Sequence, residues 1–295
     1  MRITHSTVTR SVGYYLQQNL SRLEKYSSRM ATGKKFQRPS EDPAGVNKSM
    51  YFRTSINRND RFLLNMNESR GWLGVTEIAL SQSVGTLQRV RELAVYGAND
   101  TLSTDERQAI ASEVYGHYEH LLALCNTEFN GLYIFGGHRT GEKPFREDYS
   151  GQIRYYGDDG ERRQEISPHQ EVAMNLSGAR AFGAVETLDA VREVFRALVD
   201  NDRDFLGGEA LKKMDDSISR LMQSISEVGA RMQRLDAADS ALFDQTIYLR
   251  EMLSRVEDID LAYTMIEYQM QENAYQAALA TASRMLQPSL IDYLR

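Results

Sequence analysis

Long stretches of this chain contain no proline and almost no glycine. The five prolines are Pro39, Pro43, Pro144, Pro168 and Pro288, so residues 44–143 and 169–287 contain none. Between Glu209 and Arg295 the only glycine is Gly229. Inside a helix proline costs about 3 kcal/mol and glycine about 1. Their absence permits long, uninterrupted helices.

Apolar spacing says how such helices would pack. Leu16, Leu20, Leu23, Ser27 and Met30 follow steps of 4, 3, 4 and 3. Met252, Val256, Ile259, Tyr263, Ile266, Met270, Asn273, Ala277 and Ala280 keep the same alternation, and Ile110, Val114, His117, Leu121 and Leu124 repeat it mid-chain. A narrow seam every 3.5 residues suits helices packed nearly parallel to one another. No run approaches the roughly 18 apolar residues of a membrane span, and the first residues lack the apolar core of a secretory signal.

Breaks and starts can also be placed. Asp42 is positioned to cap a helix with Pro43 at its first turn, where a missing N–H does no harm. That helix is expected to reach about Tyr96, with an irregularity at "RGWLG". Ser103 and Glu106 form an S-x-x-E capping box for the next helix, which is expected to stop at "FNG" with Asn130 or Gly131 left-handed. Residues 131–183 hold nine of the twenty glycines, and "GQIRYYGDDGERRQEI" predicts two short strands around an Asp–Gly turn. "VAMNL" is a further candidate strand. Helix resumes near Glu186, breaks at Gly207–Gly208 and continues towards Leu286.

The fold expected is mainly α, a long helical bundle or coiled coil built from N- and C-terminal halves around a small β-rich insert. The expected segments are an N-terminal assembly helix (1–40), two halves of a helical body (41–137 and 185–251), the β-rich outer domain (138–184) and a C-terminal assembly helix (252–295). The net charge of −6 disfavours nucleic acid as a partner, yet residues 1–38 carry eight Lys/Arg against Glu24 alone. Residues 256–295 carry six Asp/Glu against Arg284 and Arg295. Opposite charge on the two ends favours their lying together. A lone helix with so narrow a stripe does not offset the cost of ordering it, so both ends are expected to gain order beside other copies.

Four stretches carry residue types that could serve chemistry. "GGHRTGEK" has the spacing of a phosphate loop, but Glu142 stands where its lysine belongs and no Ser/Thr follows Lys143. Glu113, His117 and His120 lie at helical spacing without a second ligand pair. "YGDDG" lacks the calcium-loop pattern. The basic start resembles a transit peptide or a nucleic-acid arm, but it carries a helical seam. Cys125, the single cysteine, is expected to pack as a small buried hydrophobe. No catalytic constellation, metal site or cofactor site is expected.

The segment "MATGKKFQRPSEDPAGVNKSM", after a "MRIT" start and a heptad-bearing helix, resembles the signature of the axial flagellar proteins, flagellin and its relatives. Gly33, Lys34, Arg38, Pro39, Ser40, Asp42, Pro43 and Ala44 carry the match, with Glu41 where aspartate is more usual. The closing "VEDIDLAYTMIEYQMQENAYQAALATASRMLQPSLIDYL" is similar to that family's C-terminal helix. "NGLYIFGG" and the Tyr-Gly-Asp-Asp-Gly stretch resemble the branch that joins hook to filament. The resemblance implies a non-enzymatic structural protein, exported without a cleaved signal and located in the extracellular flagellum. It also implies partners: further copies in a ring, hook-associated protein 1, flagellin and an export chaperone, with no nucleic acid and no membrane insertion. The assembly interface is assigned to Leu16, Leu20, Leu23 and Met30 at one end. At the other it comprises Val256, Ile259, Tyr263, Ile266, Met270, Leu290 and Leu294. A filament subunit and an intracellular coiled-coil adaptor are the alternatives.

Overall fold

The computed structural model describes residues 5–99, 102–148 and 152–286. The "MRIT" start, Pro288, Leu290 and Leu294 lie outside them. The long helices are α1 (His5–Thr32), α2 (Pro43–Gly97), α3 (Thr104–Cys125), α5 (Glu186–Asp200), α7 (Glu209–Glu257) and α8 (Leu261–Leu286). Two single-turn helices, α4 (Gly178–Phe182) and α6 (Arg203–Gly207), punctuate them. The strands are β1 (Glu128–Phe129), β2 (Leu132–Tyr133), β3 (Phe145–Glu147), β4 (Ile153–Tyr155), β5 (Arg163–Ser167) and β6 (Gln170–Ala173). The chain divides into two units, one of Met1–Asn57 with Gln245–Arg295, the other of Arg58–Asp244.

The larger unit is organised by seams on α2 and α7. Met66, Leu73, Leu80, Leu87 and Ala94 recur every seventh residue, and Ser69, Thr76, Ser83 and Val90 interleave; all are fully buried. On α7 the buried positions Ala210, Met214, Ser217, Leu221, Ser224, Val228, Arg231 and Leu235 follow steps of 4 and 3. Small residues alternate with large ones, letting knobs from one helix enter gaps in its neighbours. The buried hydroxyls are satisfied locally: Ser69, Thr76 and Ser83 donate to the carbonyls of Asn65, Trp72 and Ala79 at 2.9, 2.9 and 2.7 Å.

Helix α2 runs straight through "RGWLG" without the expected irregularity. Gly71 serves packing rather than bending: a Cβ there would lie 2.9 Å from the Phe129 ring, which meets Trp72 edge-on. The capping box at Ser103 and Glu106 forms as read from the sequence. Next to it Arg107, 3% exposed, donates to the Gly97 and Asn99 carbonyls at the end of α2.

The insert is wired differently from the sequence expectation. Helix α3 ends at Cys125, not at "FNG"; Asn130 (φ 51°) and Gly131 (φ 76°) are the two-residue turn joining β1 to β2. Two consecutive positive φ values suit the right-handed twist of a tight hairpin. The Tyr-Gly-Asp-Asp-Gly stretch is not a hairpin turn either, because β4 pairs with β3 and β5 pairs with β6. It is a loop wound about Asp158, whose carboxylate accepts the His138 and Gly160 amides at 2.7 and 2.9 Å. Phe135, Phe145 and Phe182 stack edge-to-face and join the same hydrophobic core as the helices.

Candidate assembly site

The smaller unit contains the family-like motif, and its geometry begins at Gly33. There φ is +72°, a left-handed conformation that glycine adopts without a Cβ clash, and its amide closes α1 on the Arg29 carbonyl at 2.8 Å. The next residues run extended along the α7–α8 joint. Lys35 N–H donates to the Glu257 carbonyl at 2.7 Å, and Ile259 N–H donates back to the Gly33 carbonyl at 3.0 Å. Lys34 pairs with Asp258 as an isolated antiparallel bridge, and the Lys35 ammonium donates to the Arg255 carbonyl at 2.6 Å.

The remaining motif residues restart the helix. Phe36 is buried, and the Glu41 carboxylate accepts the Gln37 amide at 3.1 Å. Arg38, Pro39 and Ser40 form an exposed turn closed by Glu41 N–H on the Arg38 carbonyl. Asp42 then accepts the Gly45 amide at 2.9 Å, with Pro43 opening α2 and Ala44 exposed beside it. The proline pair thus marks a turn between helices, and the glycine–lysine step before it is a clip.

Glu257 is the electrostatic centre of that clip. It is 5% exposed, and its carboxylate takes Arg53 Nη2 at 2.5 Å, Arg53 Nε at 3.2 Å, the Ser49 hydroxyl at 3.0 Å and the Lys34 ammonium. Burial alone would raise its pKa, but the bonds from Arg53, Lys34 and Ser49 outweigh it and carry the carboxyl down to about 2. Three segments meet on one charge: the residue pair after α1 that holds Lys34, the start of α2 with Ser49 and Arg53, and the end of α7, which carries Glu257 itself. Sequence reasoning passed over Glu257, Ser49 and Arg53, because nothing in their spacing announces a contact spanning more than two hundred residues.

Beyond the clip α1 and α8 lie antiparallel, with Tyr26 donating to Glu267 at 3.4 Å and Gln271 to Asn19 at 3.5 Å. Leu16, Leu23 and Met30 are half-buried, as are Val12 and Tyr26 one turn away, whereas Leu20 is exposed. On α8 the half-buried and buried positions are Thr264, Glu267, Tyr268, Gln271, Glu272, Tyr275, Ala278 and Ala282. The stripe read from the sequence falls on the opposite side: Tyr263, Ile266 and Met270 are 62, 59 and 62% exposed. The two terminal seams therefore do not meet. The α1 seam is turned inward, towards α8, while Ile266 and Met270 of the α8 seam point away from it; Tyr263, though exposed, lines a pocket with Tyr26 and Arg29 of α1, and Val256 and Ile259 are half-buried.

The stretches weighed for catalysis have structural occupations in the larger unit. The glycine loop's amide at His138 is taken by Asp158, and Asp159 accepts the Ser177 hydroxyl at 2.8 Å. Glu113 is bound by Arg89 at 2.8 Å, with His117 at 3.8 Å and His120 exposed. Burial pushes the Cys125 thiol up. Among the described residues no cluster of three metal-ligating side chains occurs, and no helix is long and apolar enough to cross a membrane.

Residues 3–140 match the model of the bacterial flagellin N-terminal helical region, and residues 211–294 match that of the C-terminal helical region. The chain belongs to the bacterial flagellin family, the self-assembling structural proteins of the flagellum. Within it the chain is 27% identical over 280 residues to flagellar hook-associated protein 3 of Escherichia coli K12, covering 86% of this chain and 87% of that one. It is 25% identical to the Salmonella typhimurium protein of the same name, covering 92% of each. Flagellin of Bacillus subtilis is 25% identical, covering 97% of this chain and 98% of that one. The fold is shared with the flagellar junction protein FlgL of Legionella pneumophila, at a TM-score of 0.62 and 17% identity, covering 71% of this chain and 99% of that one. Bacillus cereus FlgL gives a TM-score of 0.61 at 22% identity, covering 69% and 99%.

Proposed function

We propose that this chain is the structural subunit that joins hook to filament in the bacterial flagellum. The observation that carries the proposal is its similarity, over most of both chains, to two proteins named flagellar hook-associated protein 3. The exposed apolar stripe of α8 supports it, since a long helix presenting Tyr263, Ile266 and Met270 to water gains stability when a neighbour covers them. Residues 1–40 and 252–295 act as assembly helices, residues 41–137 and 185–251 as the body, and residues 138–184 as the outward-facing domain. The partners are further copies in a ring, hook-associated protein 1 on one side and flagellin on the other. A cytoplasmic chaperone delivers the chain for export without a cleaved signal. The role is mechanical and needs no catalysis or cofactor.

Deleting the gene tests the proposal. Loss of a junction subunit releases intact filament protein into the medium and leaves bare hooks. Shortened or altered filaments, still attached, would instead favour a filament subunit, the reading suggested by the similarity to Bacillus subtilis flagellin.

A further inference from the structure

The smaller unit carries a second apolar feature besides the outer stripe of α8. The first turns of α2 and the last turns of α7 enclose a groove of about 540 Å³, lined by Tyr51, Phe52, Met252 and Val256 and by the stems of Lys48 and Arg255. Its lining is almost wholly apolar, and Tyr51 is exposed. The two lysine and arginine heads reach water while their methylenes face the groove. In the same chain the α8 stripe remains exposed, so one molecule does not fill its own groove with its own stripe.

We infer that the α8 stripe of one copy seats in the Tyr51–Phe52–Met252–Val256 groove of the next. This rests on the family's self-assembly and specifies which surfaces meet. The occupant follows from symmetry. Pairing stripe with stripe is isologous and closes after two copies, whereas a contact between two different patches repeats head to tail and builds a ring or an open helix. A self-assembling axial protein requires the second kind, and groove and stripe supply two chemically matched but different patches on one unit. The dimensions agree: Tyr263 to Met270 spans about 11 Å of helix, and Asn47 to Phe52 lines the groove over about 8 Å. Ile266, midway along the stripe, is the central side chain of the contact.

Cysteine cross-linking of the purified full-length chain tests this directly. The only native thiol, Cys125, is fully buried, so background coupling is low. Introduced cysteines couple only where Cα atoms come within about 7 Å. The double variant Tyr51→Cys/Ile266→Cys, concentrated under mild oxidation, is expected to give a ladder of dimers, trimers and larger species. Mixing the two single variants should give one dimer band, and neither single variant alone should couple. Adding Met270→Asp to the Ile266→Cys partner should abolish that band and weaken association at least ~10-fold, because it places a charge in an apolar groove. A dimer from Ile266→Cys alone, no ladder from the double variant, or no association at high concentration would each overturn the inference. Isolated flagella are probed separately: a ladder in solution with the protein absent from flagella sinks the junction proposal and leaves the contact standing.

Discussion

Acid should weaken the clip around Glu257. The carboxyl ordinarily titrates at 4.5 and is held at about 2 in the folded chain. A depressed folded value means the clip's contribution is fully present above about pH 4.5 and is lost as pH falls through about 2. A shift of that size corresponds to about 2–3 kcal/mol after allowing for the solvent exposure of Arg53 and Lys34. Glu257→Gln removes the charge, keeps the shape, and should lower the stability of the smaller unit by that amount at pH 7. Urea unfolding of the full chain followed by circular dichroism at pH 7, 5 and 3 measures it. Trp72, the sole tryptophan, sits in the larger unit, so its fluorescence is an internal control. The gap between wild type and variant should narrow on acidification while the Trp72 transition responds equally in both proteins. A gap that stays constant from pH 7 to 3, or a Trp72 transition that shifts as much as the helical signal, would refute the argument.

Other substitutions separate the roles of individual residues. Gly33→Ala should destabilise the smaller unit by about 1 kcal/mol, from the left-handed backbone alone, since no atom lies within 4 Å of the added methyl; urea midpoints read this. Leu23→Asp should lower the stability of the smaller unit, whereas Ile266→Asp should leave it unchanged, yet both should keep the chain out of isolated flagella on immunoblots. Leu221→Ala, in the buried α7 seam, should cost about 2–5 kcal/mol in the Trp72-detected transition.

Much of the local structure is legible in the residues. The proline and glycine gaps predict the long helices, Asp42–Pro43 and Ser103–Glu106 mark helix starts, and the Gly207–Gly208 break falls between α6 and α7. These are short-range effects, set by backbone dihedrals and by side chains that reach their own main chain. The pairing of strands was misread because an Asp-Gly dipeptide in a glycine-rich segment looks like a turn wherever it falls. Here the carboxylate of Asp158 gathers the amide of His138, twenty residues away, together with that of nearby Gly160. The main seams of α2 and α7 are not legible as apolar stripes because Ser69, Thr76, Ser83, Ser217 and Ser224 occupy seam positions; hydroxyls count as polar in a pattern, even where, as at Ser69, Thr76 and Ser83, they bond back to their own helix.

The terminal seams show the division most clearly. Spacing predicts helix with an apolar stripe around Leu16–Met30 and Met252–Ala280, since a helix repeats every 3.6 residues regardless of context, but the second segment is not one helix: α7 ends at Glu257 and α8 begins at Leu261. Which side of α8 turns toward α1 was decided only in three dimensions. That side carries Tyr268, Gln271 and Tyr275, and the sharper stripe of Ile266 and Met270 is left outward. Periodicity records that a face is apolar; what the face touches depends on where the rest of the chain brings its partners. Glu257 makes the same point: its carboxylate acquires meaning only when folding carries Lys34, Ser49 and Arg53 to within bonding distance.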